Sequence, residues 1–399
     1  MILYLIPLAI CASFVSRSLG GIFEILSIVG LLTLIKTKKV SSLQLASFKL
    51  WSISVLVVVS VSLFHVFSSD IKASNLSILR HNFFPLCLVW LFYSFKERSL
   101  PFDKIYKHSL VWASIGIILA FIACLIEAWG MDQGLINSLL NKRLKGLTTI
   151  SGLAYTLSTI YPLFFCYFLN ELSLVKSNKH RNKQTMYSSL FVLLIIILSV
   201  FFTKSRGPLL TILLISPFCL FFFFRKTFYA SMTFSIATVL FFIYIISSPI
   251  QTSSRYFQAF NSYSNKARIA QYKTASLIIK DSPLLGVGLK KYPIKSKEYK
   301  EKFDLEYIDH NDHAHNSFLH VSAESGVVFG VLFFLTFLFL FYESLFLVRE
   351  KIYKASFSSV FLVFLLQSFL DHMYHMFFAV LISAIIGLFW VYHLEKKSY

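Results

Sequence analysis

The sequence predicts an all-α integral membrane protein. Of its 399 residues, 56% are hydrophobic and 14% are charged, and the mean hydropathy is +0.69. So few charged residues could not cover the apolar surface of a soluble protein of this size. The apolar residues form long continuous runs, which favour helices because a helix satisfies its own backbone hydrogen bonds within lipid. One long polar stretch, residues 247–316, interrupts these runs.

The apolar runs predict about twelve transmembrane helices. Several are shorter than the ~20 residues that cross a bilayer core, so their ends must extend into flanking polar residues. The run that begins at Ser317 is too long for one crossing, and we expect a helical segment at the membrane surface before Gly326 and Gly330. The predicted spans are Ile2–Val15, Ile22–Ile35, Leu50–Val66, Phe83–Phe95, Ser109–Trp129, Ala154–Leu169, Ser189–Phe202, Leu209–Phe224, Phe228–Ile246, Ser317–Leu347, Ala355–Leu370 and Met376–Leu394.

The distribution of basic residues predicts the orientation. These residues cluster in the connections that follow even-numbered spans, as in Lys36–Lys39 and Lys176–Lys183. By the positive-inside rule, that face and both termini are cytoplasmic. The long polar stretch is also basic, but long loops are translocated regardless of charge, so we place it outside, between spans nine and ten. The predicted domains are residues 1–246 with spans one to nine, the outer loop 247–316, and residues 317–399 with spans ten to twelve.

The net charge of +19 is therefore mostly a signal of topology. No basic soluble domain remains that could bind nucleic acid, so no nucleic-acid partner is predicted. The five cysteines all fall inside apolar runs, which predicts small core residues and neither disulfides nor metal ligands. The first apolar run is not followed by a small-residue cleavage site, so we expect it to be a retained span.

Three segments of the outer loop have a predictable structure. Lys266 to Lys280 carries an apolar stripe at helical spacing, and Asp281-Ser282-Pro283 ends that helix. A tight turn follows at Pro283–Gly288. The stretch from Lys290 to Asp309 mixes lysine, glutamate and tyrosine, and it predicts a solvated helix.

Two arginines are candidates for binding an anion. Arg206 lies in the short outer turn Thr203–Pro208. Its guanidinium fork, beside Gly207 and the N-terminus of a helix that opens at Pro208, suits phosphate oxygens. The alternative is an interfacial arginine that extends its charge into water. Arg268, on the loop helix, is the second candidate, and its alternative is a solvated helix face.

Three histidines lie where the loop re-enters the membrane, at positions 310, 313 and 315. They could form a polar loop end, or a metal site together with Asp309 and Asp312. They could also supply a general base, because the histidine pKa of about 6.5 suits removal of a proton from a hydroxyl near neutral pH. Neither a cysteine nor a distant fixed ligand set supports the metal site, so we predict no metal and no cofactor.

Together these residues suggest a glycosyl transfer. Two arginines can neutralise a pyrophosphate, and a histidine can activate an alcohol. The outer face offers neither ATP nor sugar nucleotides, and the donor that already carries a pyrophosphate there is a polyprenyl-diphosphate-linked glycan. Because pyrophosphate is a good leaving group once its charge is held, neither a metal nor a general acid is required.

The ordered set of motifs resembles the O-antigen ligase and polymerase superfamily. Ser205-Arg206-Gly207 opens a span, and Arg268-x-x-x-Tyr272 precedes Pro283-Leu284-Leu285-Gly286-x-Gly288. His315-Asn316-x-x-Leu319 then precedes Glu324-x-Gly326-x-x-x-Gly330. The motifs cover roughly residues 201–333, and Tyr272 stands where many members have tryptophan.

The resemblance implies a GT-C-like membrane glycosyltransferase with a periplasmic loop that caps a cavity, in the inner membrane of a Gram-negative bacterium. It implies that Arg206 and Arg268 bind the diphosphate, that His315 is essential, and that Asn316 and Tyr272 lie at the substrate site. His310, His313, Asp371 and His375 receive no role from it.

Three functions remain open. A ligase would transfer O-antigen from undecaprenyl diphosphate to lipid A–core, whereas a polymerase would extend a lipid-linked repeat unit. The single compact outer loop and about twelve spans favour the ligase. A transporter or flippase is the third alternative, but transporters place their polar residues at mid-membrane, and here they gather outside.

Overall fold

The computed structural model describes residues 5–15, 45–68, 83–88, 101–131, 134–147, 149–177, 183–224, 263–372 and 376–396, with a few isolated helical residues between them. Within these ranges the chain is helical and contains no strand, which confirms the all-α class. The helices are α1 (Leu5–Val15), α2 (Ala46–Ser68), α3 (Phe102–Trp129), α4 (Leu135–Asn141), α5 (Ile150–Lys176), α6 (Lys183–Thr203), α7 (Arg206–Phe223), α8 (Tyr263–Asp281), α9 (Tyr292–Lys302), α10 (Ser317–Ser325), α11 (Val327–Phe346), α12 (Lys351–Leu370) and α13 (Met376–Lys396).

Seven of these helices, α2, α3, α5, α6, α7, α11 and α12, are long and apolar enough to cross a membrane. Helix α1 and the segment Ala379–Glu395 of α13 are shorter apolar helices at two other predicted spans. The predicted spans Ile22–Ile35 and Phe228–Ile246, and the end of Phe83–Phe95, lie almost entirely outside the described residues. The chain is therefore a multi-pass helical protein, and the number twelve stays a prediction.

Helices α5 and α12 lie at the centre of the bundle. Helix α5 packs against α6, α7 and α12, while α11 packs against α2 and α12. The two central helices also share polar contacts, because the Gln367 amide donates to Ser158 Oγ at 2.7 Å and accepts from Thr159 Oγ1 at 3.2 Å. Such contacts between helices satisfy polar groups that lipid could not.

The predicted separate helical segment before Gly326 is confirmed, whereas its position at the membrane surface stays a prediction. Helix α10 ends at Ser325, and α11 starts at Val327. Gly326 separates them with φ +88, and a Cβ there would overlap the carbonyl oxygen of Leu284. At Gly286, with φ +63, a Cβ would likewise overlap the backbone of Glu324. The two glycine motifs, about forty residues apart in sequence, are therefore the two halves of one packing joint.

The loop region 263–316 covers one end of the bundle. Its first helix, α8, matches the prediction for Lys266–Lys280. The second, α9, ends at Lys302, so the predicted helix up to Asp309 is too long, and positive φ values at Asp304 and Tyr307 explain why the helix stops. Helix α10 contributes Ala323 to the small core of this loop region. The domain limits at 246 and 316 stay a prediction.

Candidate active site

The centre of the candidate site is Asp371, the residue that follows α12. It is 7% exposed. Its Oδ1 lies 2.9 Å from His315 Nδ1 and 3.4 Å from His313 Nε2, and it also accepts from the backbone N–H of His372 at 2.8 Å. The end of α12 thus places one carboxylate next to the end of the loop region 263–316.

The surroundings keep this carboxylate charged. Burial by itself would raise the pKa of Asp371, but hydrogen bonds and positive charge from His313 and His315 outweigh it and hold the pKa well below its usual range. Burial lowers the pKa of His315, and the hydrogen bond and charge of Asp371 oppose that shift without reversing it. Near neutral pH the pair is therefore an aspartate and a neutral imidazole.

The protonation of Asp371 determines the tautomer of His315. An ionised carboxylate can only accept hydrogen bonds, so Nδ1 of His315 must carry the proton that it shares with Asp371. The lone pair of the neutral ring is then on Nε2. The side chain is 27% exposed, so the ring is accessible to a substrate. The geometry suits a general base.

The backbone at His315 is held in an unusual conformation. Its φ is +49, in the left-handed region that residues with a side chain seldom occupy. Tyr272 donates its hydroxyl to the carbonyl of His315 at 3.1 Å, and Ser317 Oγ donates to the carbonyl of Asp371 at 3.2 Å. Asn316 caps α10 by accepting the N–H of Leu319 at 3.0 Å. Tyr272 and Asn316 thus shape the turn at His315.

Arg268 is part of the same cluster. Its Nη2 lies 3.9 Å from Asp371 Oδ2, and its positive charge adds to the lowering of the His315 pKa. The Nε atom is buried and has no hydrogen-bond partner in the part of the chain that the structure describes. A guanidinium only partly neutralised by one carboxylate can still attract an anion.

Arg206 approaches the cluster from another helix. It is the first residue of α7 and is half-buried. Its neighbour Gly207 leaves room for Tyr155 of α5, whose hydroxyl oxygen would lie 3.2 Å from a Cβ at that glycine. The Tyr155 hydroxyl interacts with the Asp371 carboxylate. The turn with Arg206 is therefore one side chain away from the His315–Asp371 pair.

A further arginine supports that turn. Arg143, in the segment after α4, donates from Nε to the carbonyl of Thr203 at 3.2 Å and from Nη2 to Ser205 Oγ at 3.5 Å. It fastens the last carbonyl of α6 and the N-cap residue of α7. Arg143, Tyr155 and the role of Asp371 could not be predicted from the sequence, because only the fold brings these distant residues together.

The histidines divide between two environments. His313 joins Asp371, and its ring centroid lies 4.3 Å from that of His315. His310 is exposed, and its carbonyl accepts from the buried Lys300 at 2.6 Å. His375, which received no role from the sequence, lies outside the described residues.

Three ligand atoms of this site could hold a metal ion. They belong to His313, His315 and Asp371 and lie within 4.8 Å of one another. Among the residues that the structure describes, this is the group with such spacing, rather than the set Asp309, His310, Asp312 and His313. A metal here would replace both histidine–aspartate contacts, and Arg268 would repel it.

The fold and the site define a class: a multi-pass helical membrane protein with a histidine–aspartate pair and two arginines near one end of the bundle. Residues 191–335 match the family model described as O-antigen ligase. This match confirms the resemblance to the O-antigen ligase and polymerase superfamily. It extends from α6 into α11, so it includes Arg206, Arg268 and His315, whereas Asp371 lies beyond it. No curated protein matches the chain.

Proposed function

We propose that the protein transfers O-antigen from undecaprenyl diphosphate to a sugar hydroxyl of lipid A–core, at the periplasmic face of the inner membrane. The observation that carries the proposal is the His315–Asp371 pair beside Arg268, within a chain that matches the O-antigen ligase family. The donor glycan, the acceptor and the surrounding membrane lipids are its partners. The reaction needs no cofactor.

The reaction is a single displacement. His315 Nε2 takes the proton of the acceptor hydroxyl while its oxygen forms a bond to the anomeric carbon of the donor. The bond between that carbon and the diphosphate oxygen breaks, and undecaprenyl diphosphate leaves with the electron pair. Attack from the face opposite the leaving group inverts the anomeric centre. Asp371 keeps the proton on Nδ1 and stabilises the imidazolium that forms.

The two arginines act on the leaving group. Diphosphate carries its charge on planar sets of oxygens, which a guanidinium fork can bind with two parallel hydrogen bonds. Arg206, in the first turn of α7, also has the positive end of that helix behind it. Together with Arg268 it would hold the charge that develops as the glycosidic bond breaks.

A polymerase that extends lipid-linked repeat units uses the same donor chemistry and is the alternative. The single compact outer loop favours the ligase, and no described side chain separates the two acceptors. The lipopolysaccharide gel pattern of a deletion strain tests the choice. Core alone, with intact lipid-linked polymer, supports the ligase. Core with a single repeat unit would identify a polymerase, and an absence of lipid-linked polymer outside the membrane would support the transporter.

The experiment that tests the base compares His315→Ala, His313→Ala and His310→Ala at matched membrane levels. General-base catalysis contributes about 10²–10⁴ in rate, so His315→Ala should nearly abolish transfer. His310→Ala should stay close to wild type because that ring is exposed, and His313→Ala should have an intermediate effect. Equal activity of His315→Ala and wild type, or a larger loss at His313, would show that the base is misassigned.

The role of Arg206 is tested by Arg206→Lys and Arg206→Ala. Lysine keeps the charge but not the fork, so we expect both variants to lose transfer. Removing either Arg206 or Arg268 should cost about 2–4 kcal/mol of transition-state stabilisation, as does the loss of one hydrogen-bond donor from an oxyanion hole. Lys142→Ala, an exposed change beside Arg143 in the segment after α4, is the control. A normal lipopolysaccharide ladder from Arg206→Ala at wild-type protein levels would refute this role.

A further inference from the structure

A second buried histidine–carboxylate pair lies behind the first. His320 and Glu324 are one turn apart on α10, and they are 6% and 3% exposed. His320 Nε2 lies 3.6 Å from Glu324 Oε1. The ring of His320 packs against that of His372, with centroids 3.8 Å apart and ring planes at 39° to each other. His372 follows Asp371 directly, so the two pairs adjoin.

The two nitrogens of His320 face different partners. Nε2 faces an oxygen of Glu324, whereas Nδ1 accepts the backbone N–H of Ala314 at 3.5 Å, the long limit of a hydrogen bond. One acceptor and one donor fit a single neutral tautomer, with the proton on Nε2. A proton on Nδ1 would put a donor against the N–H of Ala314.

Glu324 selects that tautomer. Burial raises the pKa of Glu324 to about 7, although backbone N–H groups of Lys290 and Tyr292 and the charge of Lys290 oppose the rise. Above that pH the carboxylate is ionised and can only accept, so it favours a proton on Nε2 of His320. Tyr292 completes the enclosure, with its ring centroid 4.8 Å from that of His320.

The N–H that His320 accepts belongs to the residue between His313 and His315. Ala314 is fully buried, and the next residue, His315, has its φ at +49. A left-handed residue relaxes unless its neighbours hold it. Tyr272 holds the carbonyl on one side of this turn, and His320 holds the N–H on the other.

We propose that His320, oriented by Glu324, is a positioning residue that holds the Ala314–His315 turn so that His315 Nδ1 stays on Asp371. This inference rests on the proposed function, in which His315 is the base. The His320–Glu324 pair thus has a role beyond packing. The atom that performs it is Nδ1 of His320, which accepts the N–H of Ala314. The proposal also explains why the Glu324-x-Gly326 motif contains an acid, a residue to which the sequence alone assigned no role.

The test uses two substitutions that separate the nitrogens of the ring. In His320→Asn the amide can place an oxygen near the position of Nδ1, whereas in His320→Gln it reaches the position of Nε2. At pH 8, where Glu324 is ionised, we expect His320→Asn to keep kcat within about threefold of wild type. We expect His320→Gln to lose about tenfold, the effect of about one hydrogen bond. KM for the lipid-linked donor should not change, because the arginines are untouched.

The same substitutions at the exposed His310 are the matched control, and both should leave transfer unchanged. Equal kcat for His320→Asn and His320→Gln, or a loss confined to the asparagine variant, would overturn the proposal. So would the disappearance of both variants from the membrane, because His320 would then serve folding.

A second readout does not depend on the transfer reaction. Diethyl pyrocarbonate modifies histidine rings, and mass spectrometry gives the rate at each residue. If the turn loosens, the rate at His315 should rise in His320→Gln and stay near wild type in His320→Asn. If this contrast appears while His315→Ala transfers normally, the positioning is right and the proposed function is wrong. If His315→Ala is inactive and the contrast is absent, only the positioning proposal fails.

Discussion

The two central helices of the bundle are more deeply buried than two of its peripheral helices. In α5 and α12, 78% and 72% of the most apolar window is buried inside the protein, against 39% in both α3 and α6. The central helices carry Gln367, Ser158 and Thr159 in mutual hydrogen bonds, whereas α3 and α6 present leucine, isoleucine and phenylalanine outward. Side chains that face protein can be polar because a partner satisfies them.

Two residues of the candidate site lie on the central helices. Asp371 lies at the end of α12, and Tyr155 lies in the first turns of α5. Neither α3 nor α6 contributes a side chain to the cluster around Asp371 among the described contacts. A carboxylate can stay charged at the end of a central helix because histidines and an arginine surround it there. Asp371 and Tyr155 thus lie on the two most buried helices, whereas Arg206 begins α7, of which only 39% is buried.

The largest effect is expected from Asp371→Asn. Asparagine keeps the size but cannot hold the His315 tautomer by charge, so transfer should fall by about 10²–10⁴, as for the aspartate of a catalytic triad. Because Asp371 raises the pKa of His315, its removal should lower that pKa further. A base acts when neutral, so the acid limb of the rate, which lies below the ordinary histidine pKa in the wild type, should move to still lower pH. The pH dependence of kcat measures this shift.

Wild-type activity of Asp371→Asn with an unchanged acid limb would show that Asp371 does not act on His315. Asp281→Asn provides the matched control, because Asp281 ends α8 in the loop region 263–316 and its carboxylate accepts from Tyr299 at 2.8 Å. We expect that variant to transfer normally.

An intermediate effect is expected on stability. Gln367→Leu removes the two hydrogen bonds that Gln367 makes from α12 to α5. Thr159 Oγ1 then lacks its acceptor on α12. Polar contacts between membrane helices contribute about 0.6 to 1.7 kcal/mol, so the free energy of unfolding in detergent should fall by about 1–2 kcal/mol. Leu194→Ala on α6, 52% exposed, should change it by less than about 0.5 kcal/mol. Equal losses at the two positions would contradict the distinction between central and peripheral helices.

The smallest effect is expected from removal of metal. If the cluster around Asp371 acts without a metal ion, the purified protein should keep its transfer activity in excess chelator. The reason is that His315 needs a free Nε2 and an Asp371 partner, and Arg206 and Arg268 supply the positive charge. Loss of transfer in chelator, with recovery on addition of Mn²⁺ or Zn²⁺, would make His313, His315 and Asp371 the leading metal site.

The sequence by itself determined the helical membrane class, most of the span positions, the break at Gly326 and the helix at 266–280. These follow from local physics: apolar length, helical periodicity and the conformational freedom of glycine. It also singled out Arg206, Arg268 and His315, because ionisable residues at a membrane boundary stand out against apolar neighbours. The end of α9 could not be read from composition, since it depends on the backbone at Asp304 and Tyr307.

Only the tertiary structure decided which groups meet. Asp371 is 56 residues from His315 in sequence, and Tyr155 is farther still, yet both belong to one cluster. The same holds for the two glycine motifs, which look separate in the sequence and interlock in the fold. The physical reason is that helix packing brings distant ends together, whereas a sequence pattern reports only what lies within a few turns. The tautomer of His315, and with it the ring nitrogen that is left with a lone pair, depends on the contact with Asp371.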